Sequence, residues 1–141
     1  MVEAEIEAAQ QEIIEEFGLF GDWMDRYQYL IDLGKQLSPF PESKKVEANK
    51  IHGCQSQVWL DTELEDGRLH FYGTSDATIV SGLIAVLLRV YSGRYPADIL
   101  ATRPDFIGAI GFDRHLSVTR SNGLHSMLQA IYARAHENAP T

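Results

Sequence analysis

Val58-Trp59-Leu60-Asp61-Thr62-Glu63-Leu64-Glu65-Asp66-Gly67-Arg68-Leu69-His70-Phe71-Tyr72-Gly73-Thr74 has a period of two. Val58, Leu60, Thr62 and Leu64 point to one face, and Gln57, Trp59, Asp61 and Glu63 to the other, as in a strand buried on one side. Asp66-Gly67 is a strong hairpin signal, and the alternation resumes through Leu69, Phe71 and Gly73, so the two strands should pair antiparallel. A short strand near Val46 to Ala48 would add an edge and give three strands. Such a sheet has one apolar face and needs a helical cover.

The flanking segments supply it. From Val2 to Phe17, Ile6, Ala9, Ile13, Ile14 and Phe17 recur at helical spacing, with Glu3, Glu5 and Glu7 at the end where the helix dipole favours acids and Gly18 as the stop. Asp22 is the expected N-cap of a second helix that runs to about Leu37, its stripe formed by Trp23, Tyr27, Leu30, Ile31 and Gly34. After the hairpin, Ser75 or Asp76 should cap a helix whose Ile79, Val80, Leu83, Ile84, Val86, Leu87, Leu88 and Val90 are apolar nearly all round, the pattern of a buried central helix. Short helical pieces follow at Pro96 and over Asp105 to Ile110. The last helix is expected from Ser117 as N-cap to about His136, with Leu124, Met127, Leu128, Ile131 and Ala135 inward. The order predicts an α+β fold, a small antiparallel three-stranded sheet packed against helices, as one domain over residues 1–141.

Composition narrows the function. With 141 residues, 45% hydrophobic and 23% charged, the chain suits one globular core, and no stretch approaches the roughly 20 apolar residues that cross a bilayer. The acidic start MVEAEIEAAQ lacks the basic, then apolar, pattern of a secretory signal, so a cytoplasmic location is expected. A formal charge of −8 opposes binding to a phosphate backbone, so no nucleic-acid partner is expected. The single cysteine, Cys54, leaves no intramolecular disulfide, no CxxC redox pair and no multi-cysteine zinc or iron–sulfur ligation.

Cys54 lies in Asn49-Lys50-Ile51-His52-Gly53-Cys54-Gln55-Ser56-Gln57, a polar, glycine-containing run just before a strand, and therefore in a loop. A lone cytosolic cysteine is ordinarily a small buried hydrophobe. This one instead has neighbours able to hydrogen-bond a thiolate. A thiol hydrolase would need a base and an orienting group, drawn from His52, His115 or His125 with Asn122 or Asp76, and no spacing favours such a set. A redox enzyme would need a resolving thiol. His52 and Cys54 alone make a metal site of at most two local ligands, and none is expected. The singleton fits a thiol that takes a group from another protein and passes it on, because a second cysteine would attack a carried persulfide and release its sulfur. That argument permits sulfur as the cargo without selecting it.

Four ordered blocks resemble the SufE family of sulfur acceptors, which includes the CsdE paralogues. They are Tyr27-Gln28-Tyr29-Leu30-Ile31-Asp32-Leu33-Gly34, then Asn49 to Trp59 centred on Gly53-Cys54-Gln55-Ser56-Gln57-Val58-Trp59, then Ser75-Asp76-Ala77-Thr78-Ile79-Val80-Ser81-Gly82-Leu83-Ile84, and last His115-Leu116-Ser117 with Arg120-Ser121-Asn122-Gly123-Leu124. Val118 departs from the proline that many relatives carry after the serine, a position where proline preorganises a first helical turn.

The resemblance implies a persulfide carrier in which Cys54 accepts sulfur from a cysteine desulfurase of SufS or CsdA type, stimulates it, and delivers the sulfur to the SufBCD scaffold for iron–sulfur cluster assembly. It implies a transfer protein rather than a stand-alone enzyme, with no cofactor of its own, since pyridoxal phosphate belongs to the desulfurase. It also implies a fold similar to the IscU scaffold, with the cysteine loop at one end of the sheet. The matched blocks are common to both branches of the family. Asp76 and Arg120 match its acidic and basic positions. Arg120 would stabilise a thiolate or persulfide anion, and Asp76 would hold the loop closed, with a salt bridge and a helix cap as the plain alternatives. His52, Gly53, Gln55, Ser56 and Gln57 are expected to shape the loop or touch the partner, and Gly123 to permit close packing. A noncatalytic regulator of the desulfurase is the alternative.

Overall fold

The computed structural model describes residues 3–139. Helix α1 (Glu3–Gly18) stops at the glycine as expected, while the expected start at Val2 lies outside the described residues. Asp22 caps α2 (Trp23–Lys35) by accepting from the Asp25 amide at 2.9 Å, and the helix ends short of the expected Leu37 because Gln36 closes it onto Leu33 and Gly34. Strands β1 (Val58–Glu65) and β2 (Arg68–Ser75) pair antiparallel as expected, with Leu60 opposite Gly73 and Thr62 opposite Phe71. Asp66 and Gly67 both take positive φ, as a tight hairpin turn requires.

The sheet has two strands and not the expected three. Glu47–Asn49 turns into a short 3-10 segment, and the edge pairing shrinks to a single bridge between Lys50 and Trp59. The expected inner face also ends early. Val58 and Leu60 are buried, but Leu64 is 55% exposed where the hairpin runs past the core.

Helix α3 (Thr78–Tyr91) is the central helix, with Leu83, Ile84, Val86, Leu87, Val90 and Tyr91 buried. Neither Ser75 nor Asp76 caps it. The cap position is Ala77, because the Ser75 hydroxyl accepts from the Ala77 amide and the Asp76 carboxylate is used elsewhere. Helix α2 crosses α3 at Gly82, where an added Cβ would lie 2.2 Å from the Leu30 carbonyl oxygen; only a glycine admits so close an approach. Arg89 clamps α3 to α1 through Glu16, whose carboxyl this guanidinium holds below its ordinary value.

Three short helices, α4 (Pro96–Ala101), α5 (Asp105–Ile110) and α6 (Phe112–His115), lead to α7 (Val118–Asn138), which Ser117 caps as expected. Leu124, Met127, Leu128, Ile131 and Ala135 of α7 join the core, which is continuous with the inner faces of the sheet, α1, α2 and α3. The result is an α+β fold whose cysteine loop emerges between the sheet and α7. Among the described residues no helix is long and apolar enough to cross a membrane.

Candidate functional site

The loop is closed at its base by the Ile51 amide, which donates to the Val58 carbonyl at 2.9 Å. Between these residues the chain leaves the sheet and turns back at Gly53, whose φ of +89° is left-handed. An L side chain is strained there. That turn lays the loop on α7. Gly53 lies so near Ser126 that a Cβ would fall 2.5 Å from its Oγ, and Gly123, one helical turn earlier on the same face, lies against Cys54. The Cys54 thiol donates to the Gly123 carbonyl at 3.7 Å, and a Cβ at Gly123 would lie 3.5 Å from its Sγ, an ordinary contact.

The far end of the loop is held from another direction. The Gln57 amide donates to Asp76 Oδ1 at 3.0 Å. Asp76 thus bonds the loop at its C-terminal end.

Beside the thiol lies an open cavity of about 580 Å³. Its floor is apolar, formed by Ile79, Val80, Leu83, Leu124 and Met127, and its polar rim carries Gln55, Ser56, Asp76, Ser117, Thr119 and Arg120. Arg120, exposed on the first turn of α7, forms no ion pair among the described residues. Among the described residues it is the only lysine or arginine lining the cavity.

Burial pushes the half-buried Cys54 thiol above its ordinary pKa of 9.0. At neutral pH the closed loop therefore holds a protonated thiol, a poor nucleophile that is shielded by its own fold. No histidine stands by to deprotonate it. His52 turns outward to Glu47 with 3.1 Å between Nε2 and Oε1, His115 stacks on Trp23, and neither they nor His125 lines the cavity. The hydrolase constellations are not assembled. Among the described residues no three His, Cys, Asp or Glu side chains gather as a metal site requires.

The structure brings Cys54, Gln55, Ser56, Asp76 and Arg120 to one cavity, while Gly53 and Gln57 act on it through the backbone and His52 stays apart. The sequence reading missed Ser126. Its only signal is a small residue three after Gly123, which puts both on one helical face.

Residues 11–135 match the family described as SufE, Fe-S metabolism associated domain. The chain belongs to the SufE family. It is 43% identical over 134 residues to a SufE-like protein of Rhizobium meliloti (strain 1021), covering 92% of this chain and 96% of that protein. It is 41% identical over 119 residues to the sulfur acceptor protein CsdE of Escherichia coli (strain K12), covering 83% of this chain and 81% of CsdE. The solution structure of a hypothetical protein from Thermus thermophilus shares the fold, with a TM-score of 0.76 and 22% identity over 92% of this chain and 95% of that one. The sequence blocks that resemble SufE therefore sit in a SufE-family chain, and they meet in space: the cysteine block packs on the Arg120 to Leu124 block of α7 and is bonded to the Asp76 block through Gln57, and Leu30 of the first block lies against Gly82 of the third.

Proposed function

We propose that this SufE-family chain is a cytoplasmic persulfide carrier, taking sulfur on Cys54 from a cysteine desulfurase of SufS or CsdA type, stimulating that enzyme, and delivering the sulfur to the SufBCD scaffold for iron–sulfur cluster assembly. The observation that carries the reading is the setting of Cys54. A solitary thiol follows a left-handed turn, half-buried beside a cavity and held to α7 by a 3.7 Å contact with the Gly123 carbonyl.

The transfer follows thiol–disulfide exchange chemistry. Once the loop opens and Cys54 loses its proton, the thiolate attacks the outer sulfur of the donor persulfide. A new bond joins Cys54 Sγ to that sulfur, the donor's S–S bond breaks, and the donor cysteine leaves as thiolate. Delivery repeats the step, with Cys54 as the leaving thiolate. Arg120, which lines the same cavity, would offset the negative charge on the carried sulfur. The chain needs no cofactor for this, because the pyridoxal phosphate that generates the donor persulfide belongs to the desulfurase.

One feature favours the alternative of a noncatalytic regulator: the resting thiol is half-buried and protonated. Intact-protein mass spectrometry after incubation with a SufS-type desulfurase and cysteine separates the two. The carrier gains one reducible sulfur atom that maps to Cys54. Alanine release without that gain, repeated with a CsdA-type enzyme, would leave the regulator.

A further inference from the structure

We propose that Ser126 is a positioning residue for Cys54: its small side chain on α7 is the seat of the Gly53 turn, and that contact directs the thiol into the cavity. The inference deepens the carrier reading and rests on it for its purpose, though not for its geometry.

Three grips hold the loop inward. Asp76 fixes its end through the Gln57 amide, Gly123 accepts from the thiol, and Ser126 meets the Gly53 backbone at the apex. The first acts on the loop's far end, and the other two bind the loop to α7, Gly123 at the thiol and Ser126 at the Gly53 turn. A Cβ added at Gly53 would lie 2.5 Å from Ser126 Oγ and 3.4 Å from Ser126 Cβ, so the Ser126 side chain points at the bare face of Gly53, and a longer side chain along that direction would run into the loop.

His52, Gly53 and Gln55 around the apex are exposed, so nothing outside presses the loop down against such an intruder. The base hydrogen bond from Ile51 to Val58 lies away from the contact and would survive. A large residue at 126 therefore lifts the apex and turns Cys54 to solvent while leaving the sheet paired. What the seat requires is small size, so Ser126→Ala keeps it and Ser126→Leu removes it.

The test is the pH dependence of Cys54 alkylation by iodoacetamide, followed by intact mass on the full chain. In Ser126→Leu the profile moves to lower pH, because the lifted thiol loses the burial that raises its pKa. Alkylation at neutral pH then rises about tenfold for each pH unit of that displacement. Ser126→Ala superimposes on the parent chain. Gly53→Ala leaves the α7 sequence unchanged and presses on the same contact from the loop side, its Cβ meeting Ser126 and its left-handed φ adding strain, and is expected to move the profile in the same direction.

A folded Ser126→Leu chain whose profile matches the parent overturns the proposal. If that variant does not fold, an unmoved Gly53→Ala profile overturns it. Sulfur loading by a desulfurase, measured on the parent chain in parallel, keeps the two readings apart. A displaced profile with no sulfur on Cys54 upholds the seat and rejects the carrier, whereas loading with unmoved profiles does the reverse.

Discussion

Asp76 and Gln57 hold each other through two backbone-anchored hydrogen bonds: the Gln57 amide donates to Asp76 Oδ1 at 3.0 Å, and the Asp76 amide donates to the Gln57 carbonyl at 3.3 Å. The carboxylate is thus a clasp on the loop's closing end. Asp76→Ala should raise the rate of Cys54 alkylation at neutral pH by roughly threefold to tenfold, the range set by one net hydrogen bond. Asp76→Asn keeps an acceptor and should stay near the parent rate. Equal rates for all three chains would remove the clasp.

Cys54→Ser should abolish sulfur uptake and leave the fold intact, since the side chain is half-buried and keeps its size and donor. Its melting temperature should match that of the parent within a few degrees. Desulfurase turnover, measured as alanine release, should lose its stimulation. Full stimulation by this variant would mean that the chain activates its partner without accepting sulfur.

The raised pKa of the Cys54 thiol has a definite sign. Closure shelters the neutral thiol, so its contribution to holding the loop shut is complete below the ordinary thiol value of 9.0. It fades as pH rises through the higher closed-state value. Alkylation of the folded chain should titrate at higher pH than that of the same chain in urea. A folded profile at or below the urea profile would contradict the burial of this thiol.

Gly82→Ala places a methyl group against the Leu30 carbonyl where α2 crosses α3. Overpacking of this kind destabilises by about 1–3 kcal/mol, and with backbone on the opposing side the upper end is expected. For a chain of this size the melting temperature should fall by roughly 5–12 °C. A melt within a degree of the parent would show that the helices separate at little expense.

The hairpin, the central helix and the caps at Asp22 and Ser117 are legible in the sequence because each rests on local periodicity or on side-chain chemistry within four residues. That the sheet stops at two strands is not. Val46 to Ala48 has apolar residues at alternate positions, yet three residues carry no periodic signal strong enough to oppose the 3-10 turn that forms there. The site divides in the same way. Cys54 stands out as a solitary thiol in a polar loop, and Asp76 and Arg120 through the family blocks. Ser126 escapes notice because its role comes from the approach of a segment some seventy residues away, and a serine in a helix advertises nothing of what rests on it.

The pairing of Ile51 with Val58 at the base of the loop separates two scales of opening. Residues 52–57 include no fully buried side chain, so releasing them sacrifices little of the apolar burial that stabilises the whole fold. The segment is therefore expected to behave as a local unfolding unit, opening by a free energy well below the global one. A docking partner has only to supply that smaller amount. In amide hydrogen exchange, the loop should lose protection on binding a desulfurase while the amides of β1 and β2 stay protected.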